Sequence, residues 1–155
     1  MFQAILKKEA TITHLHLQGV IDETTEFEQA IGPLAGAVVV HGQAVPNINS
    51  AGVRNWVQYF MGITAQGVRL TFVECSVTLV QQMSAISNFS AGAPVQSIYV
   101  PYLCGQCKAE FVGLMQCADI KKLNKKLPPT KCSKCGGEAV FDEIESEYFL
   151  FLDRQ

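Results

Sequence analysis

Four of the six cysteines fall in two Cys-x-x-Cys pairs, Cys104-Gly105-Gln106-Cys107 and Cys132-Ser133-Lys134-Cys135. Two intervening residues let a tight turn aim both sulfurs at one point. Two such turns on neighbouring hairpins supply four thiolates to a tetrahedral ion, each about 2.3 Å from it. The spacing therefore predicts a single structural zinc ion on Cys104, Cys107, Cys132 and Cys135. Tetrahedral sulfur sites accept iron as well, so the residues name the site before they name the metal. Glycine adjoins each pair, at Gly105 and at Gly136-Gly137, and is expected to supply the positive φ that such turns need.

Two other chemistries compete for the same cysteines. Disulfides require an oxidising compartment, but residues 1–20 carry Lys7, Lys8 and Glu9 in a strand-like pattern with no apolar signal core. No apolar run has the length of a membrane span, and a cytoplasmic location is expected. A redox dithiol would open a helix after a strand. Here the first pair lies between two strand-like runs, Ser97–Leu103 and Ala109–Met115, and a matching pair follows downstream. Cys75 ends an apolar strand and reads as a small buried hydrophobe, Cys117 lies behind the first ribbon hairpin, and both are expected to be structural.

A chain of 155 residues, 48% apolar and 17% charged, can bury a sizeable core. Its net charge of −2 supplies no general attraction to nucleic acid. Six lysines are nevertheless concentrated between residues 121 and 134, with Asp119 the one acid nearby. This loop between the cysteine pairs reads as a solvated segment. The alternative is a nucleic-acid or acidic-partner contact, although the loop has no aromatic side chain for stacking. His14 and His16 share one strand face and read as surface or edge residues, a metal pair being the alternative.

The elements that must position these groups alternate between strand and helix. Thr11–Gln18 alternates with period two, and Phe2–Leu6 is its expected hairpin partner. Asp22 to Thr25 carries helix-start chemistry for a short helix ending near Gly32-Pro33. Ala37–Val40 reads as a strand buried on both faces. Asn49-Ser50 caps a second helix whose apolar stripe is Val53, Trp56, Val57, Phe60 and Met61. A strand over 68–73, a helix from Ser76 or Val77 to Phe89 and a strand over 95–103 complete this part. Residues 146–152 are apolar and aromatic. They are expected to form a final strand or helix packed across the ribbon, an exposed oligomerisation or partner patch being the alternative.

Leu15-His-Leu-Gln-Gly19-Val-Ile-Asp22 resembles the opening of STAS domains, the family of bacterial anti-sigma-factor antagonists and of cytoplasmic domains of anion transporters. Val38 to Val53, with Asn49-Ser50-Ala51-Gly52 opening a helix, resembles the family's central strand–loop–helix. Leu70–Cys75 with the helix after it resembles the next βα unit. The resemblance covers residues 1–100 and implies an α/β (α+β) fold, a STAS-like mixed sheet with helices packed on it. A small β zinc ribbon, residues 101–155, follows.

The resemblance further implies a non-enzymatic regulatory or adaptor protein that binds a partner through Asn47, Asn49, Ser50 and Gly52. That partner would be a kinase-like anti-sigma factor, or an ATPase or transport component. Ser50 is the residue the resemblance marks for phosphorylation. The sequence departs from the family pattern at Asn49 and His41, where aspartate is usual. No P-loop, dinucleotide-binding glycine fingerprint or GxSxG occurs, and no catalytic residues are assigned. The alternatives are a nucleic-acid-binding ribbon and a thiol redox protein.

Overall fold

The computed structural model describes residues 1–155. Strands β1 (Gln3–Glu9) and β2 (Ile12–Gln18) form the expected hairpin, with Ala10 at φ 56° in its turn. β3 (Ala37–Ala44) and β4 (Arg69–Val73) add in parallel, giving a mixed sheet of order β1-β2-β3-β4. Helices α1 (Phe27–Ile31) and α2 (Ser50–Ala65) connect its strands, and α3 (Val77–Ala85) follows β4. None of the helices is long and apolar enough to cross a membrane.

Period two decides which face is covered. Leu15 and Leu17, Val38 and Val40, and Leu70 and Phe72 are buried on one face. α2 lays Trp56 and Phe60 over them, with ring centroids 5.9 and 5.5 Å from Phe72. Phe27 of α1 packs on the same cluster, 6.1 Å from Trp56. The intervening positions, His14, His16, Val39 and His41, are half-buried on the opposite face, beside the exposed Ile5 and Ile12.

β5 (Ser97–Cys104) joins the two halves of the chain. Its approach continues the first sheet through parallel bridges Phe72↔Val95 and Cys75↔Ile98. Its residues Ser97 to Leu103 pair with β6 (Glu110–Gln116), and its last residues, Tyr102 to Cys104, pair with β8 (Glu138–Phe141). With the two-residue β7 (Thr130–Lys131) this makes an antiparallel sheet of order β6-β5-β8-β7. One contiguous core runs from Leu15 in the first sheet to Phe149 and Leu152 near the C-terminus.

The C-terminal segment is helical. α5 (Glu145–Tyr148) and a terminal 3-10 turn (Leu150–Arg154) pack on α3. The Ser84 hydroxyl donates to the Tyr148 carbonyl at 2.7 Å, and Tyr148 donates to the Tyr99 carbonyl at 2.6 Å. The Arg154 guanidinium donates to the carbonyls of Met83 and Ser84 at 3.0 and 3.2 Å. Those carbonyls belong to the last turn of α3, where no intrahelical donor remains, so the tail caps the helix. α4 (Cys117–Lys122) follows β6, with Asp119 in its first turn and Lys121 and Lys122 in its last, matching the helix dipole.

Two element boundaries and one position of the α2 stripe differ from expectation. α1 begins at Phe27 because Asp22 closes a turn of its own, accepting from the Thr24 N–H at 2.9 Å while Thr25 accepts from the Asp22 N–H. α3 stops at Ala85, and the Phe89 carbonyl accepts from the Trp56 indole N–H at 2.9 Å. Met61 is 45% exposed, and α2 seats Gly52, Trp56 and Phe60 instead.

Candidate metal centre

The two cysteine turns are built on one hydrogen-bond scheme. In the first, the Cys104 N–H donates to the Ala109 carbonyl and the Lys108 N–H donates back to the Cys104 carbonyl, at 2.9 and 3.1 Å. In the second, the Cys132 N–H donates to Gly137 and the Gly136 N–H donates to Cys132, at 2.7 and 3.0 Å. The N–H two residues after the first cysteine reaches its sulfur in both turns, from Gln106 and from Lys134, each at 3.3 Å. The residue after the second cysteine is left-handed in both, Lys108 at φ 62° and Gly136 at φ 76°. The expected glycine thus serves at Gly136, whereas Gly105 is not left-handed and a lysine takes that position in the first turn. A Cβ at Gly137 would crowd Gln106 Cβ at 3.0 Å and Cys135 Sγ at 3.2 Å, so glycine keeps the second turn close to the sulfurs.

The Gly105 N–H donates to the Glu138 carbonyl at 3.0 Å and ties the two turns together. All four sulfurs lie within 4.8 Å of one another. Cys104 Sγ is 3.5 Å from Cys135 Sγ, and Cys107 Sγ is 3.7 Å from Cys132 Sγ. A tetrahedron with bonds of about 2.3 Å separates its sulfurs by about 3.8 Å, so the four could hold a metal ion with little movement. N–H donors favour the thiolate form. The Cys107 and Gln106 N–H groups bring the Cys104 thiol down to about 6, and those of Cys135 and Lys134 lower Cys132. Cys107 is helped by the Ala109 N–H, but desolvation and its crowded thiol neighbours carry it up to about 11. An ion would supply the positive charge that lets all four sulfurs ionise together.

Cys75 and Cys117 stand apart from this cluster. Both are buried, and burial raises both thiols, Cys117 to about 11. The native protein is expected to leave Cys75 and Cys117 unmodified by a thiol reagent until it is denatured. Mass spectrometry of native and denatured samples counts the adducts, and modification of either residue in the native sample would contradict this packing.

The lysine-rich segment is partly engaged. Lys125 pairs with Asp153, and the Leu127 N–H donates to Glu145 at 3.0 Å, so this loop is tied to the C-terminal helices.

The loop after β3 lies at the end of the first sheet. Asn47, Asn49 and Ser50 are exposed there, and Gly52 is buried. Asn49 is the N-cap of α2, its side-chain oxygen accepting from the Gly52 N–H at 2.8 Å while its amide donates to Glu23 at 2.7 Å. Capping is thereby complete without Ser50, whose side chain occupies the first helical position in the open. Gly52 lets α2 approach the preceding loop, since a Cβ would lie 2.5 Å from the Ile21 carbonyl oxygen. Asn49, which stands where the resemblance expects aspartate, holds the Glu23 carboxylate instead.

The three histidines form a further group, in which His14 meets His41 and not the His16 expected beside it on the strand. Parallel register places His16 opposite His41, and the two rings stack at 4.1 Å. His14 Nδ1 lies 2.9 Å from His41 Nε2. Burial holds the His16 imidazole below its ordinary pKa, with His41 and Lys7 adding to the effect. Alternation puts His14 and His16 on one face, but only strand pairing brings in His41. No family of known proteins matches this chain, and no curated protein is similar to it.

Proposed function

We propose that the protein is a non-enzymatic adaptor that docks a protein partner through Asn47, Asn49 and Ser50, with a zinc-bound ribbon as a structural staple. The observation that carries the docking reading is the division of labour at the start of α2. Asn49 does the capping, so Ser50 presents an exposed hydroxyl in the first turn of α2, at the positive end of the helix. That is a position where phosphate would change the charge of a surface without breaking the fold. The STAS-like order of elements in residues 1–100 supports the same reading, and Asn49, where aspartate is usual, holds the Glu23 carboxylate.

Zinc is the ion favoured by four thiolates in tetrahedral spacing, and four protein ligands leave no open position for substrate. Elemental analysis of the purified protein should return one zinc per chain.

The docking reading is tested by affinity capture from the native cells with wild type, Ser50→Ala and Ser50→Asp. Aspartate at this position favours the helix dipole by about 0.3–1 kcal/mol, so the variant stays folded. The expected result is a kinase-like, ATPase or transport-component prey retained by Ser50→Ala and lost, by tenfold or more, with Ser50→Asp. The same prey in all three samples would remove this loop from the interface.

A further inference from the structure

All but one of the sheet edges are protected. β1, the outer strand of the first sheet, ends in Lys7-Lys8-Glu9, and the far side of β4 is taken up by the bridges to Val95 and Ile98. In the second sheet β7 is only two residues long and ends in Lys131. Charged side chains, short strands and covered edges keep a sheet from pairing with another chain. β6 has none of these. It is the outer strand of its sheet and runs for seven residues without a proline or a break in register. Glu110 at its start is the one charge in Glu-Phe-Val-Gly-Leu-Met-Gln.

The register decides which backbone groups face outward. At the two ends of the pairing the Cys104 N–H donates to the Ala109 carbonyl at 2.9 Å and the Cys117 N–H to the Gln96 carbonyl at 2.8 Å. Antiparallel bonding alternates residue by residue, so Phe111, Gly113 and Met115 bond to β5. The N–H and C=O groups of Glu110, Val112, Leu114 and Gln116 point away from it. Side chains along this edge are apolar on both faces. Val112 and Leu114 are 53% and 48% exposed on one, and Phe111 and Met115 are half-buried on the other. Beyond the strand, Cys117 and Ile120 are buried, so α4 turns inward on the core.

We propose that β6 is a self-association edge, on which a second copy of this chain lays its own β6 antiparallel to make one sheet running through both copies. The strand is complementary to itself. Pairing about a two-fold axis at Gly113 overlaps all seven residues and joins outward-facing residues to outward-facing ones. It sets Val112 opposite Leu114 of the second copy, Phe111 opposite Met115 and Glu110 opposite Gln116. Apolar side chains thus meet apolar ones, and no like charges face each other. Gly113 already stays small for Tyr102, whose ring would lie 3.3 Å from a Cβ there, and at the axis it lets the two backbones come close. The same operation on β1 is unfavourable, because pairing about Leu6 sets Lys7 opposite Ile5 and Lys8 opposite Ala4. An isologous contact uses up the edge in both copies, so association stops at two. One strand edge with its flanking side chains belongs to the small class of interfaces, which makes the dimer weak and dependent on concentration.

The test is sedimentation velocity on the full chain with its cysteine quartet loaded with zinc, from ~1 to ~300 μM, a range that brackets a micromolar constant. Wild type should pass from one copy to two and go no further. Val112→Lys and Leu114→Lys each set a lysine against an apolar side chain and should weaken the dimer at least tenfold. Both side chains are exposed, so the fold itself is expected to tolerate the change. Hydrogen exchange separates edge pairing from packing of the sheet faces. The outward amides of Val112 and Leu114 should gain protection in step with the dimer as concentration rises. That measurement on wild type decides alone should a lysine variant misfold. A chain that stays monomeric at the top of the range overturns the proposal, even where an extended peptide from another protein binds the edge. So does a dimer that survives both lysine variants, or one in which those two amides exchange as fast as in the monomer.

Discussion

Stripping the metal from the cysteine cluster is expected to melt the C-terminal sheet and to loosen the first sheet with it. Without an ion, the four sulfurs within 4.8 Å either stay protonated or repel as thiolates. A ribbon of about fifty residues buries too little apolar surface to stand alone, and structural zinc in small domains contributes its binding energy directly to folding. The loss spreads because β5 is bridged to the end of the first sheet at Cys75↔Ile98 and because Tyr148 and Arg154 bond to the backbone of β5 and α3. Cys132→Ser, or chelation of the wild type, should lose amide protection first in β6 to β8. It should then lower the thermal midpoint by 10 °C or more, the equivalent of about 3–5 kcal/mol for a chain of this size. An apo protein with wild-type exchange and an unchanged midpoint would show that the quartet is not a staple.

Trp56→Ala should be the most damaging single truncation in the first half, costing about 3–5 kcal/mol in equilibrium denaturation. The ring is fully buried, stacks on Phe89 at 4.8 Å with the planes 5° apart, and covers Phe72. Its N–H also holds the Phe89 carbonyl, which fixes the chain where α3 gives out. Trp56→Phe separates the two contributions. It keeps most of the apolar contact but abandons the carbonyl, and should cost about 1–3 kcal/mol. A Trp56→Ala midpoint within error of wild type would mean that the aromatic cluster repacks without it.

The cysteine quartet was legible because its chemistry is local. Two residues between cysteines constrain a turn wherever it occurs, and the paired turns leave little else for four thiols to do. The Asn49 cap and the period-two strands were legible for the same reason, since each is decided within a few residues. Helix ends were harder. α1 starts late because Asp22 prefers its own turn, and α3 stops early where Phe89 answers to Trp56, a residue 33 positions away.

By itself the sequence determined which residues could bind a metal, which faces of the strands are apolar and where α2 is capped. These follow from the chemistry of neighbours along the chain. Only the tertiary structure decided that Lys108 and Gly136 hold the equivalent left-handed positions of the two turns, that β5 is bridged to the first sheet while pairing in the second, and that the C-terminal helices cap α3. It alone brought His41 against His14 and His16, because parallel strand register is set by packing between segments far apart in sequence. The local Asn49 cap leaves Ser50 at the first helical position, exposed.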